Sequence, residues 1–243
     1  MASVQKFKKS AAVERIAGHM DRTNHNPSNK DIDPARRDYD VDLTPDHGGL
    51  SPYDYYTARL SELYIFDPHR DDIVTLYGWV VTLPREVTNP AEEQRFFLAV
   101  ADFLMERYGK ENTVSITIHR DETTPHLHYL GIPAVENNMR GPDHPQAEKL
   151  CCKEVINREE LRKFHSDLQD YLDKLGIDAQ VKTGVTGGKN RTVEQLKRET
   201  AADLRSEVDR LQEIERKYNE LLQDRERSRW DRSQDIDRER GRW

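Results

Sequence analysis

Residues 113–131 read TVSITIHRDETTPHLHYLG and contain two strand patterns joined by a short turn. The first pattern alternates the apolar residues Val114, Ile116 and Ile118 with polar residues on the opposite face, which is the two-residue period of a half-buried strand. The second pattern starts at His126 and reads HLHYLGI, after the turn-forming sequence DETTP. The stretch therefore predicts a β-hairpin with one polar face.

Further elements are predicted on both sides of this hairpin. Residues 73–83 are rich in β-branched and aromatic side chains and predict a central strand. An apolar pattern of helical spacing runs from the cap residue Asn89 to Gly109, and a second one runs from Asn157 to Gly176. Both segments predict amphipathic helices that pack on the sheet.

The two ends of the chain differ from this central part. The first 50 residues are rich in turn formers and charges, and we predict ordered loop with short helical pieces there. Residues 199–243 carry dense charges of both signs and predict a long exposed helix that is partly disordered. A homodimer could form along its apolar stripe, which consists of Leu204, Val208, Leu211, Tyr218 and Leu221.

Composition excludes several classes of protein. Apolar residues make up 35% of the 243 positions and charged residues 34%, and the chain contains no apolar run long enough to span a bilayer. The only cysteines, Cys151 and Cys152, are adjacent and cannot form a spaced disulfide framework or a four-cysteine zinc site. These features predict a soluble protein of a reducing, cytoplasmic compartment.

Three histidines of the hairpin form a candidate metal site. His126 and His128 are two residues apart in a strand and point to the same face, and His119 belongs to the neighbouring strand. Three imidazoles with open coordination positions suit a divalent transition metal. Glu122 and Asp121 lie in the turn, where they can bind the metal, accept a hydrogen bond from a metal-binding histidine or accept a proton. The alternative is an ordinary polar strand face with surface histidines.

The formal net charge of −7 does not exclude binding to nucleic acid, because local clusters decide which polyanion can dock. We predict that two basic clusters contact DNA phosphates. They consist of Lys6, Lys8, Lys9 and Arg15, and of Lys182, Lys189 and Arg191.

The motif HxDExTPHxH at residues 119–128 resembles the metal motif of the MobV/Pre family of plasmid mobilisation relaxases, a branch of the HUH endonucleases. Weaker matches follow in the same order as in the family. They are residues 19–22 (HNxR in the family), 28–33 (SNxDID), 79–84 (a strand ending in TLP) and 149–169 (LxxK and NRxxLxxF). The resemblance covers about residues 1–198.

The resemblance implies an α+β fold, with an antiparallel sheet of about five strands flanked by helices, for a relaxase domain of residues 1–198. The charged residues 199–243 then form a C-terminal helical extension. The implied activity is metal-dependent, site- and strand-specific nicking of plasmid origin-of-transfer DNA through a covalent 5′-phosphate intermediate, followed by rejoining. The implied partners are single-stranded or supercoiled origin DNA and a divalent ion, manganese first and magnesium second, in the bacterial cytoplasm.

The resemblance also implies roles for individual residues. It makes His19 the nucleophile and agrees with His119, His126 and His128 as the metal ligands. On chemical grounds Arg22, three residues after His19, can donate a charge-assisted hydrogen bond to the scissile phosphate. Glu122 is the candidate acceptor for the other ring nitrogen of the nucleophile, and its alternative role is to bind the metal in place of one histidine. A tyrosine common in the family aligns with Val41 here, which favours His19 as the nucleophile.

Two alternatives remain open at this point. The first is a tyrosine-dependent HUH enzyme, a rolling-circle replication initiator or a transposase. Its candidate nucleophiles are Tyr39, Tyr53, Tyr55 and Tyr56. The second is a DNA-binding protein whose site has degenerated, although His119, Glu122, His126 and His128 are all intact.

Overall fold

The computed structural model describes residues 2–9, 11, 12, 16, 32–182 and 216. The chain divides into two units, residues 1–183 and residues 184–243. The helix and the dimer stripe predicted within residues 199–243 lie outside the described residues, apart from Arg216, which is helical. Within the described part of the chain, no helix is both long and apolar enough to cross a bilayer.

A five-stranded antiparallel sheet forms the centre of the first unit. Its strands, in chain order, are β1 (Ala2–Lys8), β2 (Val41–Asp42), β3 (Val74–Thr82), β4 (Thr113–His119) and β5 (His126–Gly131). The spatial order is β1-β3-β5-β4-β2. Strand β3 lies inside the sheet, as predicted, and β5 takes the middle position. A separate two-stranded hairpin follows, built from β6 (Ala134–Glu136) and β7 (Glu148–Leu150).

Four α-helices are described around the sheet. They are α1 (Pro52–Glu62), α2 (Pro90–Tyr108), α3 (Cys152–Val155) and α4 (Arg158–Lys174). Two short 3-10 helices also occur, at Pro34–Tyr39 and Lys110–Asn112. The α+β fold with a five-stranded antiparallel sheet and flanking helices is thus confirmed.

The predicted helix boundaries follow from their capping residues. The side chain of Asn89 accepts a hydrogen bond from the backbone N–H of Ala91, and Asn157 accepts one from Glu160, which satisfies first-turn donors of α2 and α4. Gly109 follows α2 at φ 88°, a left-handed conformation that favours glycine. Local sequence signals therefore determine where these two helices begin and where α2 ends.

The prediction for the N-terminal segment was wrong at residues 2–8, which form the edge strand β1 rather than a loop. The apolar residues of this strand are not confined to one face, because Ala2 and Val4 pack on one side of the sheet and Phe7 packs on the other. A register shift in its pairing with β3 also falls between Phe7 and Lys8. Without an apolar period confined to one face, the segment does not look like a strand in sequence.

The two faces of the sheet are packed differently. One face, which we call the core face, packs against α2 and α4, and the ring of Trp79 stacks on Phe164 at 3.5 Å. The opposite face, which we call the site face, packs at one end against α1 through Leu76, Leu130 and other apolar side chains. At its other end the site face carries the three histidines of the motif.

Candidate metal centre

The hairpin β4–β5 brings the three predicted histidines together. His119 lies directly opposite His126. His128 lies two residues further along β5, opposite Thr117. The distances between ring centroids are 5.6 Å for His119–His126, 4.9 Å for His119–His128 and 4.8 Å for His126–His128. His119 and His128 are buried and His126 is partly exposed, so the cluster opens to solvent on the side of His126.

Hydrogen bonds to Nδ1 determine the tautomer of two of these rings. His119 Nδ1 donates to Asp40 Oδ2 at 3.0 Å, and His126 Nδ1 donates to the backbone carbonyl of Thr124 at 2.9 Å. A neutral imidazole that donates from Nδ1 carries its lone pair on Nε2, which is the form that binds a metal. Both rings are therefore prepared to act as ligands through Nε2.

The carboxylate of Asp40 lies directly behind His119. Besides the imidazole, it accepts hydrogen bonds from the backbone N–H groups of Arg120 at 2.6 Å and Asp121 at 3.3 Å, both through Oδ1. Asp40 cannot be recognised from the sequence alone, because 79 residues separate it from His119 and it matches none of the quoted motifs.

A second combination of possible ligands shares His119 with the histidine cluster. Single ligand atoms of Asp40, His119 and Asp121 lie within 4.8 Å of one another. The carboxylate of Asp40 already accepts three N–H donors, so its lone pairs are engaged in holding the hairpin. The three imidazoles are the better donor set for a transition metal, and Asp40 is better described as an outer partner of one of them.

Glu122 lies at the side of the cluster where the lone pair of His126 points. Its Oε1 atom is 3.9 Å from His126 Nε2, and its side chain is half-buried. A carboxylate in this position can approach an ion held by the histidines or a reacting group above them. Its two predicted roles, metal ligand and proton acceptor, both agree with this position.

The basic residues predicted to bind DNA are not all on one surface. Lys6 donates to the backbone carbonyl of Ile156 at 2.7 Å, whereas Lys9 donates to that of Pro68 at 3.4 Å. All four of the described lysines among these residues, Lys6, Lys8, Lys9 and Lys182, are exposed. Arg15, Lys189 and Arg191 lie outside the described residues, as do His19 and Arg22.

Two of the four candidate tyrosines are held far from the histidines. The hydroxyl of Tyr55 donates to the carbonyl of Glu111, just before β4, and the hydroxyl of Tyr56 is hydrogen-bonded to Thr75 near the start of β3. The histidines lie at the opposite ends of these strands, and seven residues of strand span roughly 20 Å. Tyr39 and Tyr53 are exposed, and Tyr39 directly precedes Asp40.

Position 41, where the family often has tyrosine, does not face the cluster. Val41 lies opposite Ile118 of β4 and packs against the core face. Asp42, the next residue, lies opposite Thr117, which in turn pairs with His128. A side chain at position 41 therefore points away from the three imidazoles.

Comparisons with known proteins identify similar sequences. Residues 1–198 match the profile of a family described as plasmid recombination enzyme (Mob_Pre). A plasmid recombination enzyme of Bacillus sp. is 31% identical over 224 residues, which cover 88% of this chain and 49% of that protein. One of Streptococcus agalactiae is 28% identical over 187 residues, which cover 75% of this chain and 36% of that protein. The chain thus spans about half the length of these relatives or less.

Solved structures match as well. A manganese-bound relaxase domain of MobM in complex with origin-of-transfer DNA of plasmid pMV158 is 26% identical, with a TM-score of 0.66 over 82% of this chain and 97% of that one. A second manganese-bound crystal structure of the same domain with this DNA has 25% identity and a TM-score of 0.65, over 82% of this chain and 98% of that one.

Proposed function

The chain belongs to the plasmid recombination enzyme family, and from that membership we propose that it is a metal-dependent relaxase, which nicks one strand of plasmid origin-of-transfer DNA at a specific site. The observation that carries this proposal is the convergence of His119, His126 and His128 at the open end of the site face. The related MobM domain binds manganese and origin DNA, which supports the same chemistry here.

The donor set fits a divalent transition metal. His119, His126 and His128 would hold it, and two of these imidazoles already have an acceptor at Nδ1 that leaves the lone pair on Nε2. Manganese fits three nitrogen donors better than magnesium does, because magnesium prefers an all-oxygen shell. Such an ion supplies a Lewis acid that polarises the non-bridging oxygens of a phosphodiester.

The cleavage step is a substitution at phosphorus. A ring nitrogen of His19 attacks the scissile phosphate, a P–N bond forms, and the bond from phosphorus to the 3′ oxygen breaks. The 3′ oxygen takes up a proton from water and leaves as a hydroxyl, and the carboxylate of Glu122 accepts the proton that the imidazole of His19 loses. Arg22 donates charge-assisted hydrogen bonds to the same phosphate. The reverse reaction rejoins the strand.

DNA binding is a separate task from cleavage. The proposed substrate is single-stranded or supercoiled plasmid origin DNA, with phosphate contacts from the predicted basic residues. They are Lys6, Lys8, Lys9, Arg15, Lys182, Lys189 and Arg191. We place this activity in the bacterial cytoplasm, where plasmid DNA is processed.

Identification of the residue that carries the DNA tests the proposal. Purified protein is incubated with manganese and single-stranded origin DNA, and the covalent adduct is followed by denaturing electrophoresis before and after mild acid. A phosphorus–nitrogen bond to imidazole is acid-labile, whereas a phosphotyrosine ester is comparatively stable. We expect an acid-labile adduct that is absent in His19→Ala and retained in Tyr39→Phe and Tyr53→Phe.

Two other results would overturn this proposal. An acid-stable adduct that survives His19→Ala would assign the attack to a tyrosine and select the initiator or transposase class. Intact DNA binding without nicking of supercoiled origin plasmid at any manganese concentration would identify a non-catalytic DNA-binding protein.

The proposed domain division is residues 1–198 for the relaxase and residues 199–243 for an extension that mediates self-association. Because none of the candidate catalytic residues lies beyond residue 198, a chain ending there should nick single-stranded origin DNA at the wild-type rate. Analytical ultracentrifugation of both chains measures the dimer. A truncated chain that is folded by circular dichroism but inactive would contradict the division.

A further inference from the structure

We propose that Asp40 is a positioning residue for the metal centre. It keeps His119 in its metal-binding tautomer and connects residues 33–42 to the β4–β5 hairpin. This inference rests on the proposed metal site and adds a residue that no motif includes. It is supported by the three hydrogen bonds that the Asp40 carboxylate accepts, by the chemistry of a carboxylate as acceptor, and by the contacts that hold residues 33–42 in place.

The contacts of Asp40 are directed at one end of β4. Oδ2 accepts from His119 Nδ1 at 3.0 Å, and Oδ1 accepts from the backbone N–H of Arg120 at 2.6 Å and of Asp121 at 3.3 Å. The imidazole of His119 is fully buried, and the carboxylate side chain is only 13% exposed. One carboxylate therefore fixes both the ring and the backbone that leads into the turn.

At this position a carboxylate differs from an amide of the same shape, because an ionised aspartate only accepts hydrogen bonds. It therefore selects the Nδ1–H tautomer of His119, in which the lone pair is on Nε2. An asparagine has the same shape but presents an N–H₂ donor beside one oxygen. If the asparagine oxygen still accepts from the backbone N–H groups, the asparagine amide N–H faces Nδ1 of His119. This contact favours the opposite tautomer of His119, in which Nε2 is protonated and cannot bind a metal.

Asp40 is held in place from several directions. Its backbone N–H donates to the carbonyl of Arg37 at 3.1 Å, at the end of the 3-10 helix. Arg120 donates to the carbonyl of Tyr39 at 3.1 Å and to Glu93 of α2 at 2.6 Å. At the start of the segment, the backbone N–H of Asp33 donates to the carbonyl of Asp121 at 2.7 Å.

These contacts also connect the β4–β5 hairpin to the part of the chain that precedes residues 33–42 in sequence. Residues 33–42 directly follow, in sequence, the part of the chain that contains His19 and Arg22. Both ends of the segment are bonded to the turn of the β4–β5 hairpin, and the carboxylate that orients His119 supplies two of these bonds, to the backbone N–H groups of Arg120 and Asp121.

The test compares Asp40→Asn with the wild type in the full chain. Nitrogen-15 NMR of the metal-free protein reports the tautomer of His119, whose signals are assigned with His119→Gln. Calorimetry with manganese alone measures affinity. We expect the wild type to show the Nδ1–H tautomer and Asp40→Asn the Nε2–H tautomer, with manganese bound about 10–100-fold more weakly. The matched control is Asp46→Asn, because Asp46 also accepts a backbone N–H, that of Gly48, but in an exposed loop.

A conservative variant separates positioning from general support of the fold. Asp40→Glu retains the acceptor and should restore the Nδ1–H tautomer and part of the affinity, whereas a purely structural role would make it no better than Asp40→Asn. An unchanged tautomer together with unchanged manganese affinity in Asp40→Asn would overturn the inference. The absence of manganese binding by the wild type would instead refute the proposed metal site.

Discussion

The core face and the site face of the sheet use alternate residues of the same strands for different purposes. In β5, Leu127 and Tyr129 are completely buried on the core face, while His126 and His128 project from the site face. In β4, Ile116 and Ile118 alternate in the same way with Thr117 and His119. Neighbouring residues of one strand therefore serve either stability or chemistry, so substitutions on one face should leave the other largely intact.

The largest effect is expected on the core face, from Phe164→Ala. The ring of Phe164 is fully buried, stacks on Trp79 at 3.5 Å and contacts the edge of Phe103. Removal of a buried ring leaves a cavity and should lower the free energy of unfolding by about 3–5 kcal/mol, as measured by urea denaturation. Leu161→Ala, at an exposed position of the same helix, is the control and should change stability little. A loss below about 1 kcal/mol for Phe164→Ala would show that the core face can repack.

The next effect is expected on the site face, from His128→Ala. This change removes one of three proposed ligands and should lower the rate of manganese-stimulated nicking by at least about a hundredfold, since even outer partners of metal ligands have effects of that order. DNA binding and the urea midpoint should change little. His144→Ala is the control, because His144 contacts Tyr64 outside the cluster. Wild-type nicking by His128→Ala would refute the three-histidine site.

A smaller effect is expected where α2 and α4 meet behind the core face, from Glu160→Gln. Glu160 accepts two hydrogen bonds from Arg107, at 2.7 and 2.8 Å, and one from the hydroxyl of Tyr108 at 2.5 Å. Burial would lower the pKa of Arg107, but the carboxylates of Glu160 and Asp167 raise it overall, so the guanidinium stays charged and needs its partners. Loss of the charged acceptor should reduce the free energy of unfolding by about 1.5–3 kcal/mol.

The exposed neighbour Glu159, which pairs with Lys163 on the surface, provides the control for this experiment. Glu159→Gln should leave the urea midpoint unchanged, because exposed ion pairs contribute little. Equal midpoints for the two variants would mean that the partly buried pair of Arg107 and Glu160 is not a determinant of stability. Nicking per folded molecule should be unaffected in both.

The smallest effect concerns pH and His165. Burial lowers the pKa of His165, whose Nε2 is hydrogen-bonded to the carbonyl of Ala2 in β1. The unfolded chain therefore binds a proton more readily than the folded one, and stability falls as pH decreases below the ordinary histidine pKa of about 6.5. His165→Gln should show a shallower loss of stability between pH 7 and 5, measured by thermal denaturation. His69→Gln, at an exposed position, should follow the wild type, and identical curves for all three proteins would contradict the assignment.

Much of the fold and the cluster itself could be predicted from the sequence, because the signals are local. The alternation in residues 116–119, the turn, and the i, i+2 spacing of His126 and His128 place three imidazoles on one face of a hairpin without any knowledge of the rest of the chain. The same pattern predicts Val114 on the face of Ile116 and Ile118, which is wrong, because a register shift between Thr113 and Ser115 places Val114 on the site face. The caps at Asn89 and Asn157 likewise predict where two helices begin.

Other features depended on the tertiary structure. Strand β1 exists because β3 offers it an edge, although its own apolar residues are not confined to one face. Neighbouring lysines of one basic cluster bond to different parts of the fold, Lys6 to Ile156 and Lys9 to Pro68, because the path of the backbone separates side chains that are close in sequence.

The surroundings of His119 show most clearly the difference between what the local sequence predicts and what the tertiary structure determines. Residue spacing alone predicts that His119 faces His126, because both belong to one hairpin. Only the packing of the 3-10 helix and β2 along β4 brings Asp40 to its Nδ1 atom, across 79 residues of chain. Local periodicity determines which side chains share a face, whereas a contact between distant segments depends on how the whole chain closes around the sheet, and no short motif records that path.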